Sequence, residues 1–362
     1  MAQSANEHLQ SLTIAHSTYL ERYKRDQVNR IVALLNDELE PALVAKLESR
    51  LARIKTRGYD TGLHTTRRLQ DLKDAIDAEI AAFAQAAQKM VKAELGQVAK
   101  DEAAWQVKAL EKAVPRDVAI AARVSFNMPA PETLRAIVSE APINGALLKD
   151  WFKGIEDTAK RAVTKAVNVG LATGETTEEI VRRVRGTKAL GYADGALQGT
   201  RTQVRATVHT SIAHTTSQAR AQAAEANGDI LKGEEWTATL DISTCPVCGA
   251  LDGKVFPVGK GQTTPAHVNC RCVRVPVLKS WEELGIKGPK LPVGARASMD
   301  GEVPDGTTFG GWLKKQSVGR VSDVLGSKDA AEAFLAGEVD IGSFSTEFGK
   351  PLSWKQVQAR GV

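Results

Sequence analysis

The sequence predicts a mainly α protein: long N-terminal helices, a small α+β module of short strands around clustered cysteines, and an extended C-terminal arm with short helices. Three observations carry this reading. Only Pro41 interrupts the first 114 residues, and a proline inside a helix costs about 3 kcal/mol. Alternating β-prone runs are confined to a stretch after Gly233. All four cysteines fall between Cys245 and Cys272.

From Asn6 to Glu40, apolar residues such as Leu9, Leu12, Leu20, Ile31, Leu35 and Leu39 recur mostly at steps of three and four, the period of an amphipathic helix. A second helical run starts at Pro41 and ends near Gly58, where Gly58 to Gly62 reads as a turn. The proline-free run Leu63 to Val114 is rich in good helix formers and would span about 75 Å as one helix. A helix of that length needs something to pack on, so the N-terminal third is expected to form a hairpin, bundle or stalk. Prolines and glycines then shorten the helices. Thr176 and Glu179 form a capping box that opens Thr177 to Val184, and a further helix is expected from Thr200 to Asn227. Strands are expected at Trp236–Leu240, Lys254–Val258 and Cys272–Val277. Glycines and prolines crowd the chain after Ser280, which points to a loosely packed arm with short helices at Phe309–Gln316 and Ala330–Ala336. Composition thus divides the chain into 1–114, 115–233, 234–279 and 280–362.

At 362 residues with 43% hydrophobic and 25% charged side chains, the chain has the composition of a globular protein, which excludes wholesale disorder, a collagen-like repeat and a disulfide scaffold. No window approaches 18 uncharged apolar residues, and the N-terminus lacks the basic-then-apolar order of a signal peptide. The expectation is a soluble protein made in the cytoplasm, without a membrane partner. The net charge of +5 permits contact with a polyanion without requiring it.

Cys245-Pro246-Val247-Cys248-Gly249 has the form of a metal knuckle, with Gly249 letting the backbone fold toward the sulfurs. After eighteen intervening residues comes His267-Val268-Asn269-Cys270-Arg271-Cys272. Five ligand-type residues compete for the four positions of a tetrahedral zinc. Cys245, Cys248, His267 and Cys270 are favoured, because a two-residue spacer in each half lets each pair chelate from one turn; Cys272 then faces the other side of its strand. The rival set replaces His267 by Cys272. Two disulfides formed in an oxidising medium, or unliganded buried thiols, are the other readings. A closed four-ligand set makes the zinc structural rather than catalytic, and gives a small zinc-stapled module folding energy its core cannot supply. A zinc-dependent nucleic-acid-processing enzyme is the alternative, but the sequence has no histidine after His267 and no His-His or Asp-His pair.

The string Trp236-Thr237-Ala238-Thr239-Leu240-Asp241, Thr244-Cys245-Pro246-Val247-Cys248, Leu251-Asp252-Gly253-Lys254-Val255-Phe256 and Pro265-Ala266-His267-Val268-Asn269-Cys270-Arg271-Cys272 resembles the phage Mu F-like minor head proteins, or head morphogenesis proteins. Val268 stands where that family usually has proline. The likeness extends over Leu147 to Leu352, taking in Thr308 to Leu313. It implies a structural, non-enzymatic component of the head interior of a tailed double-stranded DNA phage or prophage, present in the host cytoplasm during assembly. The partner it implies is the portal protein, with the major capsid or scaffolding protein as further candidates, in a role in head assembly, genome packaging or ejection. Related domains in some toxins carry a C-terminal enzyme, but no histidine, cysteine or phosphate-cradling loop follows Leu278 here.

Between Arg182 and Arg220 seven basic residues face one acid, Asp194. Arg182, Arg183, Arg185, Arg201 and Arg205 are candidate contacts to the phosphates of double-stranded DNA, with salt-dependent and sequence-independent affinity. The competing reading gives them to a solvated face, or to ion pairs with acids of the N-terminal helices. His209 and His214 are expected to be packing or surface residues, Ser211 has no acid–histidine relay, and the tryptophans are expected to anchor cores.

Overall fold

Pro41 does not break the N-terminal helix. In the computed structural model, which describes residues 5–55, 63–286, 295–304, 306–346 and 349–361, α1 (Ala5–Leu34) runs through one π-turn, Leu35–Leu39, into α2 (Glu40–Lys55). The wider turn moves the hydrogen bonding to a five-residue step, with the Glu40 N–H donating to the Leu35 carbonyl, and so absorbs a residue that has no N–H to give. The expected turn at Gly58 to Gly62 lies outside the described residues. The expected single long helix is α3 (Leu63–Ala113), 51 residues. After it come α4 (Arg116–Ala121), α5 (Pro131–Ser139), α6 (Leu148–Ala172), α7 (Thr177–Arg185) and α8 (Gln198–Glu225). Composition divides the chain into consecutive segments, but its contacts divide it into two units assembled from separated stretches, because α1, α3 and α8 each contribute to both.

One unit comprises Glu21–Gln97 and Val138–Ile212. Leu35, Leu39, Leu43, Leu47 and Leu51 repeat every four residues and are at most 3% exposed, each worth about 2 kcal/mol on burial. Leu72, Ile76, Ile80, Phe83, Ala87 and Val91 form the matching buried stripe of α3. The two helices run antiparallel: Lys46 pairs with Glu79 at 3.3 Å, and Arg50 donates to the Asp71 carbonyl at 2.7 Å. On α6 the buried residues Phe152, Ile155, Ala159 and Val163 keep the same period. The capping box of α7 is present, with the Thr176 N–H on Glu179 at 2.7 Å and the Glu179 N–H on Thr176 Oγ1 at 3.2 Å.

The other unit comprises Met1–Leu20, Val98–Ile137 and Ala213–Val362. It holds an antiparallel sheet ordered β2 (Val255–Phe256), β1 (Leu231–Thr237), β3 (Val273–Leu278), with α9 (Pro246–Leu251) between β1 and β2. β3 lies where β-propensity places it to within a residue, and β2 keeps only Val255 and Phe256 of the expected run; β1 shares only Trp236 and Thr237 with its expected strand, starting earlier, through Lys232-Gly233-Glu234-Glu235, and ending before Leu240. Charged residues hide this start from a pattern search; Glu234, 2% exposed, can sit in the central strand because Arg274 of β3 meets it at 3.1 Å. The N-terminal helix belongs to the same core: Leu9 packs with Leu110, Ile230, Val275, Leu278 and Trp281, and the Leu278 N–H donates to Asn6 Oδ1 at 2.9 Å.

The C-terminal region departs from the loose packing expected of an arm. A hairpin of β4 (Ala295–Ser298) and β5 (Gly301–Pro304) leads into α10 (Phe309–Leu313), α11 (Val318–Leu325), α12 (Lys328–Ala336) and, further on, α13 (Trp354–Gln358). Phe309, Trp312, Val321, Phe334, Phe344 and Val357 bury themselves with Leu240 in one core. Further along, glycines close short helices: Gly326 and Gly337, at φ 74° and 82°, occupy left-handed positions after α11 and α12. Residues 287–294, within the glycine- and proline-rich stretch, lie outside the described residues. No helix among the described residues is long and apolar enough to cross a membrane.

Candidate metal centre

The first half of the centre is built by a turn and a short helix. After β1, Asp241 accepts the Ser243 N–H at 2.9 Å, and Cys245 follows as the N-cap of α9 with Pro246 in the first turn. That geometry lets the Cys248 N–H donate to Cys245 Sγ at 3.5 Å and brings both sulfurs to one side of the helix. Gly249 acts differently from the sequence expectation. It sits inside α9 rather than at a reversal, and a Cβ there would lie 2.3 Å from Phe309 Cδ1; the missing side chain is what lets the knuckle rest on the aromatic ring.

The second half is the turn His267 to Cys270, closed by the Cys270 N–H on the His267 carbonyl at 3.1 Å, with Asn269 at φ 60°. His267 Nε2 lies 3.3 Å from both Cys245 Sγ and Cys248 Sγ, and Cys248 Sγ lies 3.8 Å from Cys270 Sγ. A tetrahedral zinc with bonds of ordinary length has edges of about 3.8 Å between sulfurs and about 3.6 Å between sulfur and nitrogen, so each of these separations is close to one edge of such a site. His267 Nδ1 faces the Val268 carbonyl at 2.9 Å; a proton held there leaves Nε2 free as a ligand. The five residues form two overlapping triads that share Cys248: Cys245, Cys248 and His267, and Cys248, Cys270 and Cys272. Each could hold a metal ion. All four cysteines are free thiols.

The electrostatics agree with a site for a cation. Its hydrogen bond with Cys248, reinforced by His267, pulls the Cys245 thiol down to about 4. Hydrogen bonds to Cys245 and Cys270 push His267 up to about 11. Cys270 is drawn far below the ordinary thiol range by its bonds to Cys248 and Cys272, and Cys248 is driven up by its bonds to Cys245, Cys270 and Cys272. Cys245 and Cys270 thus favour the thiolate beside a protonated His267, whereas Cys248 and Cys272 favour the thiol; a bound divalent ion would take the place of these protons.

Two features that brace the centre, one between its halves and one beneath α9, carry no local mark in the sequence. Arg271 makes a fork to Asp241, Nη1 to Oδ2 at 2.6 Å and Nη2 to Oδ1 at 2.7 Å, tying the His267 turn to the Cys245 turn. Although partial burial works against it, the Arg271 pairing keeps Asp241 below the usual carboxylate range. Arg271→Ala is expected to weaken metal affinity by roughly 10- to 100-fold while leaving all ligands in place; competition with a chromogenic chelator measures this. The second feature is Asp252, whose side chain is fully buried against Arg296. Its Oδ1 accepts the Ala238 N–H at 2.6 Å and Arg296 Nη2 at 2.7 Å, and its Oδ2 accepts the Phe309 N–H at 2.6 Å and Arg296 Nη1 at 2.9 Å. Asp252 stands in a recognisable motif, but Arg296 sits in a glycine- and proline-rich stretch where nothing marks a buried arginine.

The structure separates the arginine strip. Arg201 is 4% exposed and forms an ion pair with Glu40, its Nε donating to Asn36 Oδ1 at 3.1 Å, so it ties α8 to the π-turn and α2. Arg220 is buried on Glu102 at 3.0 Å. Arg182, Arg183, Arg185 and Arg205 are exposed, with Arg183 on Glu175 and Arg185 over the Tyr192 ring. His209 meets Glu21 at 3.2 Å and His214 is buried. Trp236, Trp281 and Trp312 are buried anchors; Trp105 and Trp151 are partly exposed.

Residues 161–275 match the family described as Phage Mu protein F like protein. That stretch is similar to the Mu F-like family. It contains α7, α8, β1, α9 and β2, all five ligand-type residues and both members of the Asp241–Arg271 fork. The Mu F-like match is shorter than the Leu147 to Leu352 likeness read from motifs, and leaves Arg296 and Phe309 outside it. No curated protein and no solved structure matches the chain. A Mu F-like match suggests a phage head morphogenesis protein, and the matched stretch contains the metal-type cluster.

Proposed function

We propose that the chain is a minor structural protein of a tailed-phage head, held at the head interior by the portal, where it aids assembly, packaging or ejection of double-stranded DNA. The observation that carries this reading is the Mu F-like stretch itself, with its Cys/His cluster intact and tied in by Asp241 and Arg271. Its metal is structural zinc, since thiolate and imidazole donors suit that ion, and its ligands are Cys245, Cys248, His267 and Cys270. His267 Nε2 spans the first two sulfurs, and Cys270 is the sulfur nearest Cys248 from the second turn; Cys272 is the buried thiol behind them. Bound there, zinc supplies a cross-link between the two turns. The exposed arginines Arg182, Arg183, Arg185 and Arg205 would supply sequence-independent contacts to DNA, with Arg183 and Arg185 exchanging Glu175 and Glu40 for phosphates, while Arg201 stays on Glu40 within the fold.

The full chain, mixed with the portal ring of the same phage, is expected to co-elute with it in size-exclusion chromatography and to leave plasmid DNA intact in the presence of divalent metal. Separate elution would remove the portal from the reading. Nicking that disappears in His267→Ala would replace the structural role by an enzymatic one.

A further inference from the structure

The unit that contains α6 and α7 carries a basic groove remote in sequence from the metal ligands. It opens between α3 and α6 with a volume of about 850 Å³, and its lining includes Lys73 and Asp77 of α3 and Lys160, Arg161, Thr164 and Lys165 of α6. Four cations thus face one carboxylate. Lys160 is engaged by Glu156 at 2.6 Å, and Asp157, the other acid of this turn, is taken by Lys153. Lys73, Arg161 and Lys165 are exposed, and among the described residues none of them forms an ion pair.

The spacing indicates what such a groove would take. Arg161, Thr164, Lys165 and Asn168 fall on one face of α6 and cover about 10 Å of its axis. That length tracks a row of phosphates rather than enclosing a single anion, and Arg, Lys, Thr and Asn are the side chains that commonly contact DNA backbones. The lining holds no aromatic residue, so it offers no platform for the stacked bases of a single strand. We infer that the α3–α6 groove seats the phosphate backbone of double-stranded DNA without reading sequence, as a site separate from the exposed arginines of α7 and α8. The inference rests on the reading of the chain as a head protein lying against duplex DNA.

The test uses the full chain and a fluorescent duplex of arbitrary sequence, with binding followed by anisotropy over a series of salt concentrations. Arg161→Ala with Lys165→Ala is expected to flatten the slope of log affinity against log salt by about two units, at roughly 0.9 per phosphate contact. Lys73→Ala alone is expected to remove about one contact. Circular dichroism should match the parent, because all three side chains are exposed. Arg182→Ala with Arg205→Ala provides the comparison: if only this pair lowers affinity and slope, the groove is overturned while the DNA reading stands. A parent chain with no salt-dependent duplex binding would overturn both. Tighter binding of a single strand, or displacement of the duplex by inorganic phosphate at low millimolar concentration, would overturn the assignment to duplex backbone.

Discussion

Cys248→Ser is expected to take the zinc content from one per chain to near zero, as measured by elemental analysis of protein purified without chelator. Cys248 is the residue shared by both ligand triads, so its loss breaks each triad and removes a ligand from both the His267-containing set and the four-thiolate set. The energetic consequence is local and large. The sheet beside the centre has two strands of six or seven residues and one of two, and the core around the ligands consists of Trp236, Ala238 and the buried sulfurs with a few partly buried neighbours. A structural zinc supplies on the order of 10 kcal/mol to such a fold. Hydrogen exchange should therefore lose protection across β1, α9 and the His267 turn, while α6 and α7 keep theirs. Cys272→Ser distinguishes the ligand sets: a chain that still holds one zinc supports His267 as the fourth ligand, and one that loses it supports four thiolates.

Asp252→Ala is expected to cost about 4 kcal/mol, the loss that follows when one partner of a buried ion pair is removed. Four hydrogen bonds end on this carboxylate, two from Arg296 and one each from the backbone N–H groups of Ala238 and Phe309. Alanine leaves the guanidinium, 3% exposed, without a counter-charge and both N–H groups without an acceptor. Trp236 and Trp312 are buried on the two sides of this clamp, so urea unfolding followed by tryptophan fluorescence reads the effect directly. An unchanged midpoint would show that Arg296 finds another partner. Arg296→Met with Asp252→Ala should recover part of the loss, since two charges leave together, though the two N–H groups remain unsatisfied.

The helices were legible because periodicity reports a buried face whatever the partner. The leucines of α2 and the capping box of α7 stand where the pattern requires them. Break points were less legible: proline signals a break, yet at Pro41 one π-turn keeps the helix continuous. The metal cluster was legible from spacing alone, because chelation by two residues from one turn imposes its own arithmetic. What holds the cluster was not, since Arg271, Asp252 and Arg296 act through partners 30 to 44 residues away in the chain. No local pattern distinguishes a buried arginine from a solvated one, and Arg201 and Arg205, one helical turn apart, illustrate both cases. Gly249 shows the same limit, because its role is set by Phe309, which arrives from beyond the hairpin.

The bond between Asn6 and Leu278 has a consequence for the order of events during synthesis. The helix bearing Asn6 and Leu9 leaves the ribosome long before β3, which comes 272 residues later. At about 5–20 residues per second this is an interval of roughly 14–54 s. Throughout it the apolar face that will meet Val275, Leu278 and Trp281 has no native cover. The entropy of closing so long a loop grows only with the logarithm of its length, so the delay is a matter of exposure time rather than of final stability. During that interval Leu110 and Val114 can cover part of Leu9, but the surface that Val275, Leu278 and Trp281 will take stays open to competing apolar groups, so the first helix waits on the sheet for the last of its native cover.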